Sequence, residues 1–145
     1  MNFKLFSAVA VIFFAACDMN PDANDSIQKD AVAFSEKYFN FDFCAALEHS
    51  TPESRKWISY IASNVSEEDL GILRSYGHAA VADVNSIDIL GDTTAVVTLS
   101  VNGFLSIDSI GRPGHIVDKA VFRLPMVRRE GRWLVRMEGP LRSER

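Results

Sequence analysis

The sequence predicts an α+β domain in which N-terminal helices pack on an antiparallel sheet of about four strands. Two observations carry this. Up to Gly77 the apolar residues recur at spacings of three and four; beyond it they alternate, which is the period of a strand. The strand-like half is punctuated by the turn signals Gly91-Asp92 and Arg129-Glu130-Gly131, so its segments are joined as hairpins. Composition agrees with one folded domain: 145 residues, 48% hydrophobic and 23% charged, suffice to bury a core. These figures exclude a disordered, collagen-like, disulfide-dense or multi-span membrane chain. The net charge of −4 supplies no general electrostatic footprint for nucleic acid.

The first sixteen residues read as an address. One lysine, Lys4, precedes the apolar run from Leu5 to Ala16, in which Ser7 is the only polar side chain. Twelve residues would span ~18 Å as a helix, short of the ~30 Å hydrocarbon core, so the run fits a signal peptide rather than a membrane span. It ends Phe14-Ala15-Ala16-Cys17, which resembles the lipobox of bacterial lipoproteins. That resemblance implies a lipid on Cys17, a mature chain starting there, and residence at the bacterial cell envelope, anchored to a membrane. Phe14 stands where leucine is usual, yet it is too large to precede an ordinary cleavage site by three residues. A lipidated Cys17 leaves Cys44 without a disulfide partner; in Phe43-Cys44-Ala45-Ala46-Leu47 it is expected to be a buried structural thiol.

Residues 17–24 then read as a polar tether reaching at most ~25 Å, and residues 25–139 as the folded domain. Asp25 is the expected N-cap of the first helix, with Gln28 completing a capping box. Ile27, Ala31, Phe34 and Tyr38 form its apolar stripe. Asp42 caps a short second helix through Leu47, and Thr51-Pro52-Glu53 opens a third, whose buried face is Trp57, Ile58 and Ile61. Ser66 begins a fourth, with Leu70 and Leu73 inward and Gly77 as its stop. Strands are expected over 84–90, 93–102 and 115–127, with Phe122 on the apolar face of the third. A last strand carries Trp133, Val135 and Met137. Residues 103–114 fit either a long hairpin tip or a folded-over loop. Residues 140–145 read as a basic tail.

Helices first, then Ile87-Asp88-Ile89-Leu90-Gly91-Asp92-Thr93-Thr94-Ala95-Val96-Val97, then Arg129-Glu130-Gly131-Arg132-Trp133-Leu134-Val135: this order resembles the cone-shaped fold of nuclear transport factor 2 and ketosteroid isomerase. It is similar in particular to small bacterial lipoproteins of unknown function with that fold, over roughly Asp25 to Glu138. The resemblance implies a curled sheet able to enclose an apolar pocket. It also implies a possible homodimer through the open face of the sheet. The fold hosts isomerases, dehydratases, binding proteins and scaffolds, so activity has to be argued from side chains.

Those side chains point to no established chemistry. His49, His78 and His115 lie far apart without ligand spacing, so neither metal nor cofactor is expected, and each histidine reads as solvated or capping. There is no phosphate loop or nucleophile elbow. Isomerases of the fold use a tyrosine and acids; Tyr38, Tyr60, Asp83 and Asp88 have the right types, but no motif maps them onto catalytic positions, and the two aspartates read as edge or outer-face residues. Catalytic residues are therefore left unassigned, and Tyr38, Trp57, Tyr60 and Phe122 are the pocket candidates. Charge is uneven, with seven arginines against three glutamates from Ala120 onward. Such a basic face suits anionic headgroups or an acidic partner, or is simply solvated. The expected function is a non-enzymatic, lipid-anchored envelope domain that binds a partner protein or a small apolar ligand. The alternative is a pocket enzyme of isomerase or dehydratase type.

Overall fold

The computed structural model describes residues 21–109 and 111–144; Cys17 and the predicted signal peptide lie outside them. Four helices precede four strands: α1 Pro21–Phe39, α2 Phe43–Glu48, α3 Arg55–Asn64, α4 Glu67–Tyr76, then β1 Val81–Gly91, β2 Thr94–Ser106, β3 His115–Arg129 and β4 Arg132–Val135. A 3-10 turn over Pro52–Ser54 leads into α3. The strands form one antiparallel sheet in the order β1-β2-β3-β4. The α+β architecture predicted from the change of period is the one observed.

The sheet is curled around α1, which touches all four strands. Two register shifts in the β1–β2 ladder, between Val84 and Ser86 and between Ile89 and Gly91, add residues to β1 and bend it. The stripe Ile27, Ala31, Phe34, Tyr38 lies against Val97, Leu99 and Val101 of β2, Phe122, Leu124 and Met126 of β3, and Trp133 and Val135 of β4 in one core. Each fully buried aliphatic or phenyl side chain in it contributes ~1.5–3 kcal/mol relative to exposure.

Three of the boundaries that differ from the sequence reading have a local cause. The first helix starts at Pro21 rather than Asp25. Proline's fixed φ suits a first helical turn, and it overrides the capping-box pattern four residues on. The last strand stops at Val135 instead of running through Met137, because the Met137 N–H turns away to Ser54 Oγ at 2.8 Å. Residues 103–114 belong to a hairpin: β2 continues through Gly103 to Ser106, which pairs with His115, leaving only 107–114 as the tip. Gly103 has φ +64° and kinks the strand without changing its register.

Cys44 is exposed rather than buried. In the six-residue α2, Phe43, Ala46 and Leu47 share the face that packs on the core, and Cys44 is rotated off that face. The fourth helix also differs. Its most buried residue is Asp69, while Leu70 and Leu73 are half-buried.

Candidate functional site

The wide end of the curled sheet is open, and its opening is built by four separate elements. The chain leaves α1 at Phe39 and turns sharply, with Phe41 at φ +63°. Asn40 ties this turn to the start of β1: its Nδ2 donates to the Ala80 carbonyl at 3.0 Å, and its Oδ1 accepts the Ala80 N–H at 2.7 Å. That clamp fixes Tyr38 and Phe39 over the ends of β2 and β3. Phe39 stands 5.1 Å from Phe104 and 4.7 Å from Phe122, ring centre to ring centre, and Phe104 and Phe122 are 5.6 Å apart. Tyr38 meets the edge of Phe39 at 5.1 Å. These separations are those of favourable tilted and edge-to-face aromatic pairs, and together they make an apolar floor.

Above that floor lies a cleft of about 770 Å³. Tyr60, Ile61 and Asn64 of α3 form one side, the β2–β3 hairpin the other, and the segment Pro140–Ser143 closes a third. The closing segment is held by Leu141 against the core and by the Glu144 N–H, which donates to the Val121 carbonyl at 2.7 Å. The cleft has an aromatic floor and a polar rim that includes Asn64, Ser106, Asp108, His115 and Arg142, and its volume is within the range of small-molecule sites.

The hairpin wall is held by α4. The Ser66 side chain accepts from the Asp69 N–H, and Asp69 Oδ2 accepts the Ser66 N–H at 2.8 Å, a complete capping box. The other oxygen, Oδ1, accepts the Gly114 N–H at 2.8 Å. Asp69 is buried. Desolvation pushes its carboxyl up, but the N–H groups of Gly114 and Ser66 and the Ser66 hydroxyl outweigh this and hold it below the ordinary carboxylate value. One aspartate thus caps a helix and fixes the hairpin at the residue before His115.

Of the sequence-predicted pocket candidates, Tyr38, Tyr60 and Phe122 line the cleft. Tyr38 is buried, and burial holds its phenol far above the ordinary value, so it stays protonated. Its hydroxyl has no hydrogen-bond partner among the described residues. Tyr60 is 44% exposed at the rim. Trp57 is elsewhere on α3, half-buried, with Lys56 Nζ over its ring at 5.1 Å. Asp83 and Asp88 are exposed on β1. His49 caps α2 at its C-terminus with a buried, unpaired Nδ1, and His78 packs edge-on to Tyr76. Among the described residues no three His, Cys, Asp or Glu side chains converge as a metal site would need.

Two residues unmarked by the sequence reading, Ser106 and Asp108, stand at the mouth with His115, which that reading took as solvated or capping. Ser106 Oγ donates to Asp108 Oδ1 at 2.7 Å, and Asp108 Oδ2 lies 3.4 Å from His115 Nδ1. Their signal is the cross-strand pairing of Ser106 with His115, visible only once β2 is carried through Gly103.

The sequence matches no known protein-family model, and no curated protein is similar to it. Solved structures are similar to it. An NTF-2-like protein of unknown function from Shewanella oneidensis superposes with a TM-score of 0.53 at 14% identity, over 78% of this chain and 93% of that one. The fold is nuclear-transport-factor-2-like. A ketosteroid isomerase-like protein from Erwinia carotovora atroseptica gives 0.51 at 11% identity, over 77% of this chain and 90% of that one. A protein of unknown function from Mycobacterium tuberculosis gives 0.53 at 11% identity, over 88% and 78%. At these identities the likeness is one of fold, and the chemistry of this nuclear-transport-factor-2-like domain rests on its own cleft.

Proposed function

We propose that this chain is a lipid-anchored envelope domain that binds a small ligand with an apolar, ring-like body and one or two polar groups. The cleft carries the reading. Phe39, Phe104 and Phe122, nearly buried and packed on one another, make its apolar base, and about 770 Å³ is far more than a single side chain would fill. The unpaired Tyr38 hydroxyl, kept protonated by burial, offers a donor to a ligand acceptor such as a carbonyl or ether oxygen. A concave aromatic site favours a small ligand over a protein partner, which needs a broad surface of ~800 Å² per side.

The anchor rests on Phe14-Ala15-Ala16-Cys17 and the apolar run before it. Several acyl chains on one cysteine hold a protein stably at a membrane, where one chain holds only marginally.

Membrane-extracted full chain tests both parts. Intact mass should start at Cys17 with diacylglycerol added, and a Cys17→Ser chain should lack that mass. In the same detergent, an apolar fluorescent probe such as anilinonaphthalenesulfonate should bind saturably. Ala120 lines the cleft beside the aromatic floor, so Ala120→Trp should cover part of that floor and weaken the probe at least tenfold. Equal binding by wild type and Ala120→Trp, with both folded, rules the cleft out as the binding site.

A further inference from the structure

Single exposed apolar side chains are common on protein surfaces, but two adjacent ones at the end of a strand stand apart. Ile89 and Leu90, the last large residues of β1, are 54% and 69% exposed. Ile89 pairs with the buried Ala95, yet its own side chain is left more than half open. The register shift between Ile89 and Gly91 leaves Leu90 as a bulge, outside the pairing of the ladder. The turn residues Asp92 and Thr93 that follow are exposed as well. The β1–β2 ribbon therefore ends in an apolar tip.

This tip lies at the end of the sheet away from the cleft. The antiparallel order puts the β1–β2 and β3–β4 turns together, and the Arg128 N–H donates to the Thr93 carbonyl at 2.8 Å. Helix α1 runs between the two ends. Its last turn and the residue after it are pinned at Ala80, Phe104 and Phe122, beside the cleft. It also packs on β4, which pairs only with residues 126–129 at the far end of β3. Pro21 therefore starts the helix toward the end that holds the two turns, and only residues 18–20 separate it from Cys17. Four Cα steps reach at most ~14 Å, so a lipid on Cys17 would hold this end of the domain against the bilayer.

We propose that Ile89 and Leu90 insert into the headgroup layer of the membrane that carries the anchor. The proposal rests on the lipidated-Cys17 reading above. A bilayer suits this tip better than a protein does. Two side chains fall far short of the ~800 Å² per side that a stable protein interface buries. Strand addition along β1 is opposed by its two register shifts and by the exposed Asp83 and Asp88. Lipid headgroups and upper acyl chains need no matching shape, and they stabilise each apolar side chain that enters them. Charge does not select the lipid, since exposed Arg128 and Arg132 lie among Asp88, Asp92 and Glu130. The acyl chains and the tip are then two points of attachment, the second acting at the high effective concentration that a short tether sets. One point leaves the domain free to pivot; two restrain it.

The full chain, extracted with its lipid and reconstituted in phosphatidylcholine vesicles, tests the contact. Cys44→Ser removes the exposed thiol, and Thr93→Cys then places a nitrobenzoxadiazole dye in the turn beside the intact pair. Lipids with a nitroxide high on the acyl chain should quench this dye at least twofold. The same dye on Arg112→Cys, exposed in the opposite hairpin tip, should be quenched far less. Ile89→Ser with Leu90→Ser should bring the Thr93 dye down to the Arg112 level. That double variant should melt as wild type does, because both side chains are exposed. Protein that floats with the vesicles but is quenched equally at the two positions overturns the contact and leaves the anchor standing. A blue-shifted dye without lipid quenching, stronger at high protein density, identifies a second copy on the tip and overturns the contact equally. Protein that fails to float removes the anchor reading, and the contact with it.

Discussion

Asp69 shows how much a single buried carboxylate can organise. It accepts from Ser66 at the start of its own helix and from Gly114 on the hairpin. Both donors are backbone N–H groups that no neutral hydrocarbon side chain could satisfy. Asp69→Ala should cost about 1–3 kcal/mol for each N–H left buried and unpaired, read from urea denaturation. The pH dependence follows from the same contacts. Because the folded carboxyl is held below its ordinary value, its contribution is complete above the unfolded pKa of about 4. It is then lost as pH falls toward the folded value. Glu53 adds to the same acid limb, since the Arg129 guanidinium at 2.9 Å holds it down to about 2. Melting temperature against pH should therefore fall below about pH 4 in wild type and fall less steeply in Asp69→Asn.

Among the elements, the β2–β3 hairpin is where sequence and structure part company. The four helices and the strand order were legible because each carries a clear period and a turn or cap signal. Ile27, Ala31, Phe34 and Tyr38 announce a helix face, Gly91 ends β1 next to a turn, and Gly131 sits in one. Gly103 misleads because the same residue that ends a strand can also kink one. Here it adopts φ +64° in mid-strand while Tyr76 crowds it, its hydroxyl 2.7 Å from where a Cβ would stand. The mouth residues Ser106, Asp108 and His115 were illegible for that reason, being assembled by pairing beyond the kink. Tyr38 and Phe122 were easier to find, since large apolar residues on periodic faces are readable one element at a time. Gly103→Ala should be destabilising by about 1–3 kcal/mol from backbone strain and the tyrosine contact. It should also weaken anilinonaphthalenesulfonate binding, because the hairpin wall moves with the strand.

At the scale of the whole molecule, α1 covers one face of the sheet and leaves the other with a graded charge. The register places Asp83 beside Ser100 and Val121, Ser86 beside Thr98 and Arg123, and Asp88 beside Val96 and Pro125. Asn102 and Lys119 continue the row. Acid therefore lies along β1 and base along β3, with small or apolar residues between. Two copies placed face to face about an axis parallel to the strands would set each acidic edge on a basic one. An axis across the strands would oppose like charges. Light scattering should give a dimer at low salt that weakens in molar salt; a monomer at every salt concentration and at high protein concentration sinks the assembly.

Helix α1 also measures distance. Its 19 residues span ~28 Å, and only three residues separate Pro21 from Cys17. Tyr38 and Phe39, on the floor of the cleft, belong to its final turn. For a chain tethered at Cys17, the cleft mouth lies at the end of this helix away from the tether, about one hydrocarbon thickness from Pro21. An upright rod would load the domain from the surrounding water, whereas a rod lying flat would keep the mouth within reach of the headgroups.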